Sequence, residues 1–403
     1  MQDVHRSLQT RADSWLSENA PQLVDWRRDL HAHPEIAYSE FRTTERIVEL
    51  LRSFGLQSRP LSSGTGVIAD LAGRTDGGGG DITALRADID ALPLPDHKQV
   101  SYASQHPGAC HACGHDAHTA ILLGVAAVLA EAERAGQLPC PVRLVFQPAE
   151  ERMPGGAEVA VQDGALDGVG RIFALHCDPK LDVGQVGLRV GPITASFNQL
   201  EIRLTGPGGH TARPHLTADL VYATGKLITE LPGLLSRRID PRAAVSLVWG
   251  SVAAGSAANA IPTSGVLAGT LRMLDAEYWS GLEATVAELT EQIVAPTGVE
   301  AKIDYDPGTP AVVNDGTLVA LQTQAAIAAL GPEGVSDTPQ SMGGEDFAWY
   351  LRTVPGALAR LGVRTPGGRT GDLHQSDFDI DERALAIGVR FTAALLDEVH
   401  ATF

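Results

Sequence analysis

Between residues 196 and 305 the chain reads strand, helix, strand, strand, helix, strand, and that order leaves few folds open. The strands are expected at 200–204, 245–252, 265–271 and 301–305, with helices at 218–235 and 277–294. A β-α-β-β-α-β run is the split βαβ, ferredoxin-like arrangement, which can fold as a unit of its own. The chain on either side is written differently. Short apolar runs at 67–71, 82–89, 142–146 and 172–175 lie between turn residues and alternate with helices at 119–132 and 318–330. Strands alternating with helices imply an α/β domain: a mainly parallel sheet with helices on both faces. The chain thus reads as a discontinuous domain of residues 1–192 and 307–403, interrupted by an inserted domain at 193–306. A length of 403 residues suits two cores better than one.

Local signals refine the ends. A helix is expected at 43–54, with Ile47, Val48, Leu50, Leu51 and Phe54 on one side and Gly55 as its stop. Upstream, 13–31 carries Trp15, Leu16, Leu23, Trp26 and Leu30, but Pro21 interrupts it, so two short helices or one with an entry turn are expected. A last helix is expected at 383–399. Gly77 to Gly80 reads as a flexible turn, because no phosphate-loop lysine accompanies it.

Composition excludes several classes. The net charge of −18, with scattered basic residues, argues against a nucleic-acid partner. No apolar run approaches the ~20 residues of a membrane span. The N-terminal Met1–Arg6 stretch lacks a basic region followed by an apolar one, so no secretory signal is visible and a cytoplasmic location is expected. Four cysteines in so long a chain do not form a disulfide framework, and reduced thiols are expected.

Chemistry concentrates in Cys110-His111-Ala112-Cys113-Gly114-His115-Asp116-Ala117-His118. Thiolates and imidazoles are the usual ligands of zinc-like metals, and Cys113 and His115 can converge on one ion from a tight turn. From spacing alone, a metal role for this pair and a purely structural one weigh about equally. Cys110 and Cys113 also spell C-x-x-C, yet no second such pair exists, and a redox role would leave His115, Asp116 and His118 unexplained. A zinc deaminase pattern is absent as well. Other candidates fall at expected strand ends, where loops converge in open α/β sheets: Asp88 and Asp90, Glu150 and Glu151, and His176, with His374 near the C-terminus. Taken singly, a Glu pair reads as a solvated loop and a lone His as a satisfied residue. Two adjacent carboxylates repel unless a cation intervenes. With a metal present, one can ligate while the other takes a proton from an activated water.

Seven motifs, in order, carry a resemblance: Leu85-Arg86-Ala87-Asp88-Ile89-Asp90-Ala91-Leu92-Pro93, His111–Thr119, Phe146-Gln147-Pro148-Ala149-Glu150-Glu151, Gly208-Gly209-His210, Asn259-Ala260-Ile261-Pro262, Gly269-Thr270-Leu271-Arg272 and Met342-Gly343-Gly344-Glu345-Asp346-Phe347, followed by Leu373-His374. The chain resembles the aminoacylase and carboxypeptidase metallopeptidases. Within them it is most similar to the branch of auxin-conjugate hydrolases, hippurate hydrolases and bacterial N-acyl-amino-acid amidohydrolases.

The resemblance implies a zinc-peptidase-like catalytic domain with the inserted domain as lid and dimerisation domain. It implies Cys113, His115, Glu151, His176 and His374 as ligands of two divalent metal ions, zinc first, with manganese, cobalt or nickel as alternatives. Glu150 is implied as the general base, Asp90 as support of the metal-binding loop, His210 as an oxyanion stabiliser reaching the partner subunit's site, and Asn259 and Arg272 as holding the substrate. Asp88 stands where other branches carry a ligating His, and a thiolate replaces a bridging carboxylate. The implied activity is hydrolysis of N-acyl amino acids by a homodimer or higher homo-oligomer. An aminopeptidase or dipeptidase of the same family, or a non-catalytic binder, is the alternative. Arg213 stands where an uncharged residue is expected, and it points either to acidic or amide side chains in the substrate or simply to solvent.

Overall fold

The computed structural model describes residues 7–73, 81–153, 155–368 and 371–403. The Gly77–Gly80 turn and the Met1–Arg6 stretch lie outside the described residues. The chain divides into two compact units, one of Met1–Gly191, Asn314–Pro339 and Trp349–Phe403, the other of Pro192–Val313 and Gln340–Ala348.

The first unit is built on an eight-stranded sheet in the order Ser58–Pro60, Val67–Leu71, Val142–Gln147, Ile82–Asp88, Val169–Asp182, Gly356–Arg364, Val186–Leu188, Val335–Asp337. Its four central strands, Val142–Gln147 to Gly356–Arg364, run parallel. The neighbours Val67–Leu71 and Val186–Leu188 pair antiparallel to them. Val142–Gln147 is buried throughout, as a strand covered on both faces must be. The helices Leu8–Ala32, His115–Arg134 and Arg383–Thr402 pack together over the sheet in one apolar core.

Two expectations change here. Leu8–Ala32 is one continuous helix with Pro21 inside it. Proline removes one backbone bond, but Leu8, Ala12, Trp15 and Leu16 before it and Leu23, Trp26 and Leu30 after it are all buried, so packing holds both halves in line. The strand expected at 172–175 runs instead from Val169 to Asp182, because its pairing with Gly356–Arg364 continues as far as Asp182. His176 therefore stands within a strand, not after one.

The second unit is the β-α-β-β-α-β fold. Its sheet is antiparallel, in the order Ser246–Ala254, Ser264–Arg272, Phe197–Thr205, Glu300–Thr309. The helices Leu220–Arg238 and Leu282–Val294 join Leu200, Ile202, Leu204, Leu267 and Leu271 in a separate core. The helix expected at 277–294 is broken: Asp275 caps a single turn, Ala276–Trp279, and a new helix starts after Gly281.

The unit boundaries also differ from those read in the sequence, which gave 307–313 and 340–348 to the other domain. The Glu300–Thr309 strand extends the second sheet. Ile193 donates its N–H to the Val312 carbonyl, Ser341 to Ile193 and Ala195 to Gly343, so 310–313 and 340–343 are stitched to the unit's first residues. The Met342–Phe347 motif belongs with the second unit for this reason. Among the described residues, no helix is long and apolar enough to cross a membrane.

Candidate metal centre

Gly114 has φ +88°, and a Cβ there would stand 2.8 Å from the Cys177 sulfur. Only glycine suits that left-handed, crowded position, which turns the chain from Cys113 into the helix beginning at His115. Ala149 makes a second left-handed turn, with φ 55°, and this turn aims the next two backbone N–H groups at one acceptor. Glu150 and Glu151 donate them to the two carboxylate oxygens of Asp90, each at 3.0 Å. The Asp90 carbonyl accepts from His115 Nδ1 at 2.9 Å. Asp90 thereby fixes the His115 ring and the backbone that carries Glu150 and Glu151.

The same logic orients the other imidazole of the core. His176 donates Nδ1–H to the Cys177 carbonyl at 2.8 Å, so its Nε2 faces the Cys113 sulfur at 3.6 Å. His374, itself left-handed with φ 63°, donates its backbone N–H to the Ala112 carbonyl, and its Nε2 lies 3.1 Å from Glu151 Oε1. Ligand atoms of Cys113, His115 and His176 lie within 4.8 Å of one another, as do those of Cys113, Glu151 and His374 and those of His115, Glu150 and Glu151. All five expected ligands and the expected base thus fall in one cluster of the first unit, and Cys113 is common to two of the triples.

The donor set and its electrostatics fit a cation. His115 Nε2 is buried without a hydrogen-bond partner, 3.7 Å from Asp88 and 4.0 Å from both Glu150 and Glu151. Burial pulls the His115 pKa down, yet Asp88, Asp90 and Glu151 together raise it to about 10. Burial first, and then the charges of Glu151 and Glu150, push the Cys113 thiol well above its usual range. At both groups the neighbouring carboxylates favour added positive charge. Burial, seconded by His118 and Arg360, keeps His176 neutral, the form that binds metals. One thiolate, three imidazoles and a carboxylate suit borderline-soft divalent ions.

His118 and Asp88 are close by but otherwise engaged. His118 Nε2 accepts the Cys177 N–H at 2.8 Å, so its Nδ1–H donates to Asp88 at 2.6 Å. The other Asp88 oxygen accepts from Arg86 at 2.7 Å. Arg86 Nε then donates to the Gln147 side-chain oxygen, which also accepts from Tyr350. Cys110 faces away from the cluster toward Lys98, whose ammonium lies 3.5 Å from its sulfur and 2.9 Å from Asp96.

The supporting groups escaped sequence reasoning. Arg27 and His31 both reach Asp116, at 2.7 and 2.6 Å, and pin the first turn of the helix that begins at His115. Glu40 accepts the Ala149 N–H at 2.8 Å and secures the strained turn. Lone charges on helices give no signal of this kind. Arg86 and Gln147 could have been suspected, since they flank Asp88 and Glu150 in the motifs.

His210, Asn259, Arg272 and Arg213 lie in the second unit. His210 is exposed, in a two-residue pairing with Ala260, and its Nδ1 accepts the Ala212 N–H at 3.1 Å. Its neutral form therefore carries the proton on Nε2. Asn259 and Arg213 are exposed. Arg272 is half-buried, its guanidinium 4.8 Å from the centre of the Phe197 ring and donating to the Met342 carbonyl.

Relatives match nearly the whole chain. A Rhodococcus jostii protein named putative glutamate–cysteine ligase 2-3 is 49% identical over 93% of this chain, which spans only 46% of that protein's length. A Bacillus subtilis N-acetyl-L-cysteine deacetylase is 40% identical over 92% of this chain and 86% of its own. The crystal structure of a Bacillus subtilis dinuclear metal-binding peptidase of family M20 superposes with a TM-score of 0.82 at 33% identity, covering 96% of this chain and 100% of that one. The model of peptidase family M20/M25/M40 matches residues 84–398, and the chain belongs to that family.

Proposed function

We propose that the chain is a two-metal amidohydrolase that cleaves N-acyl amino acids into a carboxylic acid and a free amino acid. The observation that carries this reading is Cys113, shared by two ligand triples with Glu150 beside them. Cys113, His115, Glu151, His176 and His374 would hold the ions, with zinc the first candidate for a thiolate and imidazole set. Such ions supply Lewis acidity at a carbonyl and lower the pKa of water toward ~7. The Bacillus relatives, one named a deacetylase and one a dinuclear metal-binding peptidase, support the same chemistry.

The chain's own residues do the rest. Glu150 takes the proton of the attacking water and passes it to the leaving nitrogen, which would otherwise depart as a poor anion. Asp90, by binding both Glu backbone N–H groups, keeps Glu150 and Glu151 in separate roles. His210 offers Nε2–H to the oxygen that gains charge, acting at the partner subunit's site in a homodimer. Arg272 and Asn259 hold the substrate carboxylate, for which a guanidinium fork is suited. The second unit is the lid and dimerisation domain in this scheme.

The test combines metal analysis with amino-acid release from acetyl, benzoyl, long-chain acyl and indole-acetyl conjugates. About two equivalents of divalent metal per chain, and release abolished by a chelator and restored by metal, are expected. Release only from substrates with a free amine would make the enzyme an aminopeptidase instead, and ligand binding without release would make it a binder.

A further inference from the structure

Arg360 is a buried residue that pairs with no acidic side chain among the described residues. It is 9% exposed, and its Nε has no hydrogen-bond partner. Among the described residues, no ion pair or hydrogen bond reaches its guanidinium. The other buried arginines differ: Arg27 pairs with Asp116 and Asp379, Arg86 with Asp88, Arg143 with Asp70 and, at 3.9 Å, Arg171 with Asp81. A guanidinium stays charged at any physiological pH, and while Nε is sealed from solvent without a partner, the Nη groups are not sealed. Nη groups that reach solvent and have no acidic partner are free to take an anion from outside.

Its place in the sheet says where that anion would lie. In Gly356–Arg364, Ala357, Ala359, Leu361 and Val363 face the apolar core under the helices, so Arg360 points to the opposite face. It stands in direct parallel register with His176, whose Nε2 faces Cys113. On its other side the register partner is Gly187, where an added Cβ would lie 3.3 Å from that of Arg360. Leu181 Cδ1, at 2.7 Å, and Thr338 Cβ, at 3.0 Å from the same position, close that flank, so the open side of the arginine is not toward Gly187. The charge of Arg360 is felt at the metal cluster, since it helps hold His176 neutral after burial and His118.

We infer that Arg360 is a specificity residue that binds a second carboxylate of the substrate, one carried by the acyl group or by the amino-acid side chain. This rests on the amidohydrolase reading, in which the α-carboxylate is held by Arg272 and Asn259. A planar guanidinium takes a carboxylate through two parallel hydrogen bonds, and desolvation strengthens them. The enzyme therefore prefers substrates with two negative charges over those with one.

The experiment compares kcat/KM for N-acetyl-L-methionine, N-glutaryl-L-methionine and N-acetyl-L-glutamate in the wild type, Arg360→Met and Arg360→Lys. The wild type should favour at least one of the two dianionic substrates. In Arg360→Met that preference ratio should fall by about 100-fold, the scale of losing one buried charge-assisted pair, and Arg360→Lys should keep part of it. The arm that responds locates the carboxylate. A wild type without preference, or a ratio unchanged in Arg360→Met, overturns the proposal. Calorimetric binding of glutarate against acetate to the metal-loaded protein separates the two readings. If no substrate is cleaved yet the wild type binds glutarate more tightly and Arg360→Met does not, the hydrolase reading fails and Arg360 stands. Equal binding of both anions by the wild type overturns the role of Arg360 whatever the activity.

Discussion

The two groups of candidate functional residues are built in opposite ways. In the first unit much of the candidate cluster is braced: the His115 ring by the Asp90 carbonyl, the His176 ring by the Cys177 carbonyl, and the backbone N–H groups of Glu150 and Glu151 by the Asp90 carboxylate. A further layer of Arg27, His31 and Asp116 stands behind the helix. In the second unit His210 is exposed in a short two-strand pairing that Asn259, also exposed, precedes, and among the described residues one hydrogen bond, from the Ala212 N–H, holds the His210 ring. Metal chemistry needs a centre preorganised to a fraction of an ångström. Residues that meet the substrate late in the cycle can remain open until it binds. The contrast separates what must be rigid before the substrate arrives from what is completed by it.

Four substitutions test that contrast, and the largest effect is expected at the braced centre. Glu150→Gln should lower kcat roughly a thousand-fold while bound metal, measured by elemental analysis, stays as in the wild type. Turnover near the wild-type rate would remove Glu150 as the base. His210→Ala should cost about 100-fold in kcat with little change in thermal stability, because an exposed side chain contributes little to folding. Mixing that variant with Glu150→Gln subunits should recover activity if His210 serves a partner's site. Absence of recovery, with subunit exchange demonstrated, would confine His210 to its own chain.

A third effect concerns stability and the brace itself. Burial, seconded by Asp90, raises the Glu40 pKa from 4.5 to about 7. The native state thus favours the neutral acid: its contribution is intact below pH 4.5 and is lost as the pH rises through 7. Glu40→Gln imitates the neutral form, so in chemical denaturation it should exceed the wild type above pH 7 by up to about 3 kcal/mol and match it near pH 4. A constant difference across that range would refute the titration. The smallest effect is expected at Arg213, exposed and without an ion pair among the described residues. Arg213→Gln should change kcat/KM by less than about 3-fold for neutral and acidic amino-acid conjugates alike, as is usual at solvated surface charges. A selective loss for acidic or amide side chains would instead give Arg213 a role in substrate choice.

Much of the molecule was legible in the sequence because its signals are local. The β-α-β-β-α-β order of the second unit follows from runs of apolar residues at strand and helix spacing. Cys113-Gly114-His115 announces its turn through the glycine, whose φ of +88° suits no other residue well. What escaped depends on approach between distant segments. Helix Leu8–Ala32 survives Pro21 because both halves are buried. His176 sits inside a strand because a partner 184 residues later in the sequence, Arg360, is paired beside it. The 340–343 segment joins the second unit through backbone bonds to Ile193 and Ala195 that no pattern of side chains encodes.

By itself, the sequence determined the α/β class, the inserted domain, the family and the residue types that can bind metal, because composition, periodicity and ordered motifs carry that information along the chain. The tertiary structure alone decided which of those residues meet. It gave His118 and Asp88 to each other, turned Cys110 toward Lys98, placed Cys113 between two ligand triples, and left Arg360 buried without an acidic partner beside His176. Those outcomes are set by hydrogen-bond geometry and burial between elements far apart in the chain, and a linear pattern contains neither.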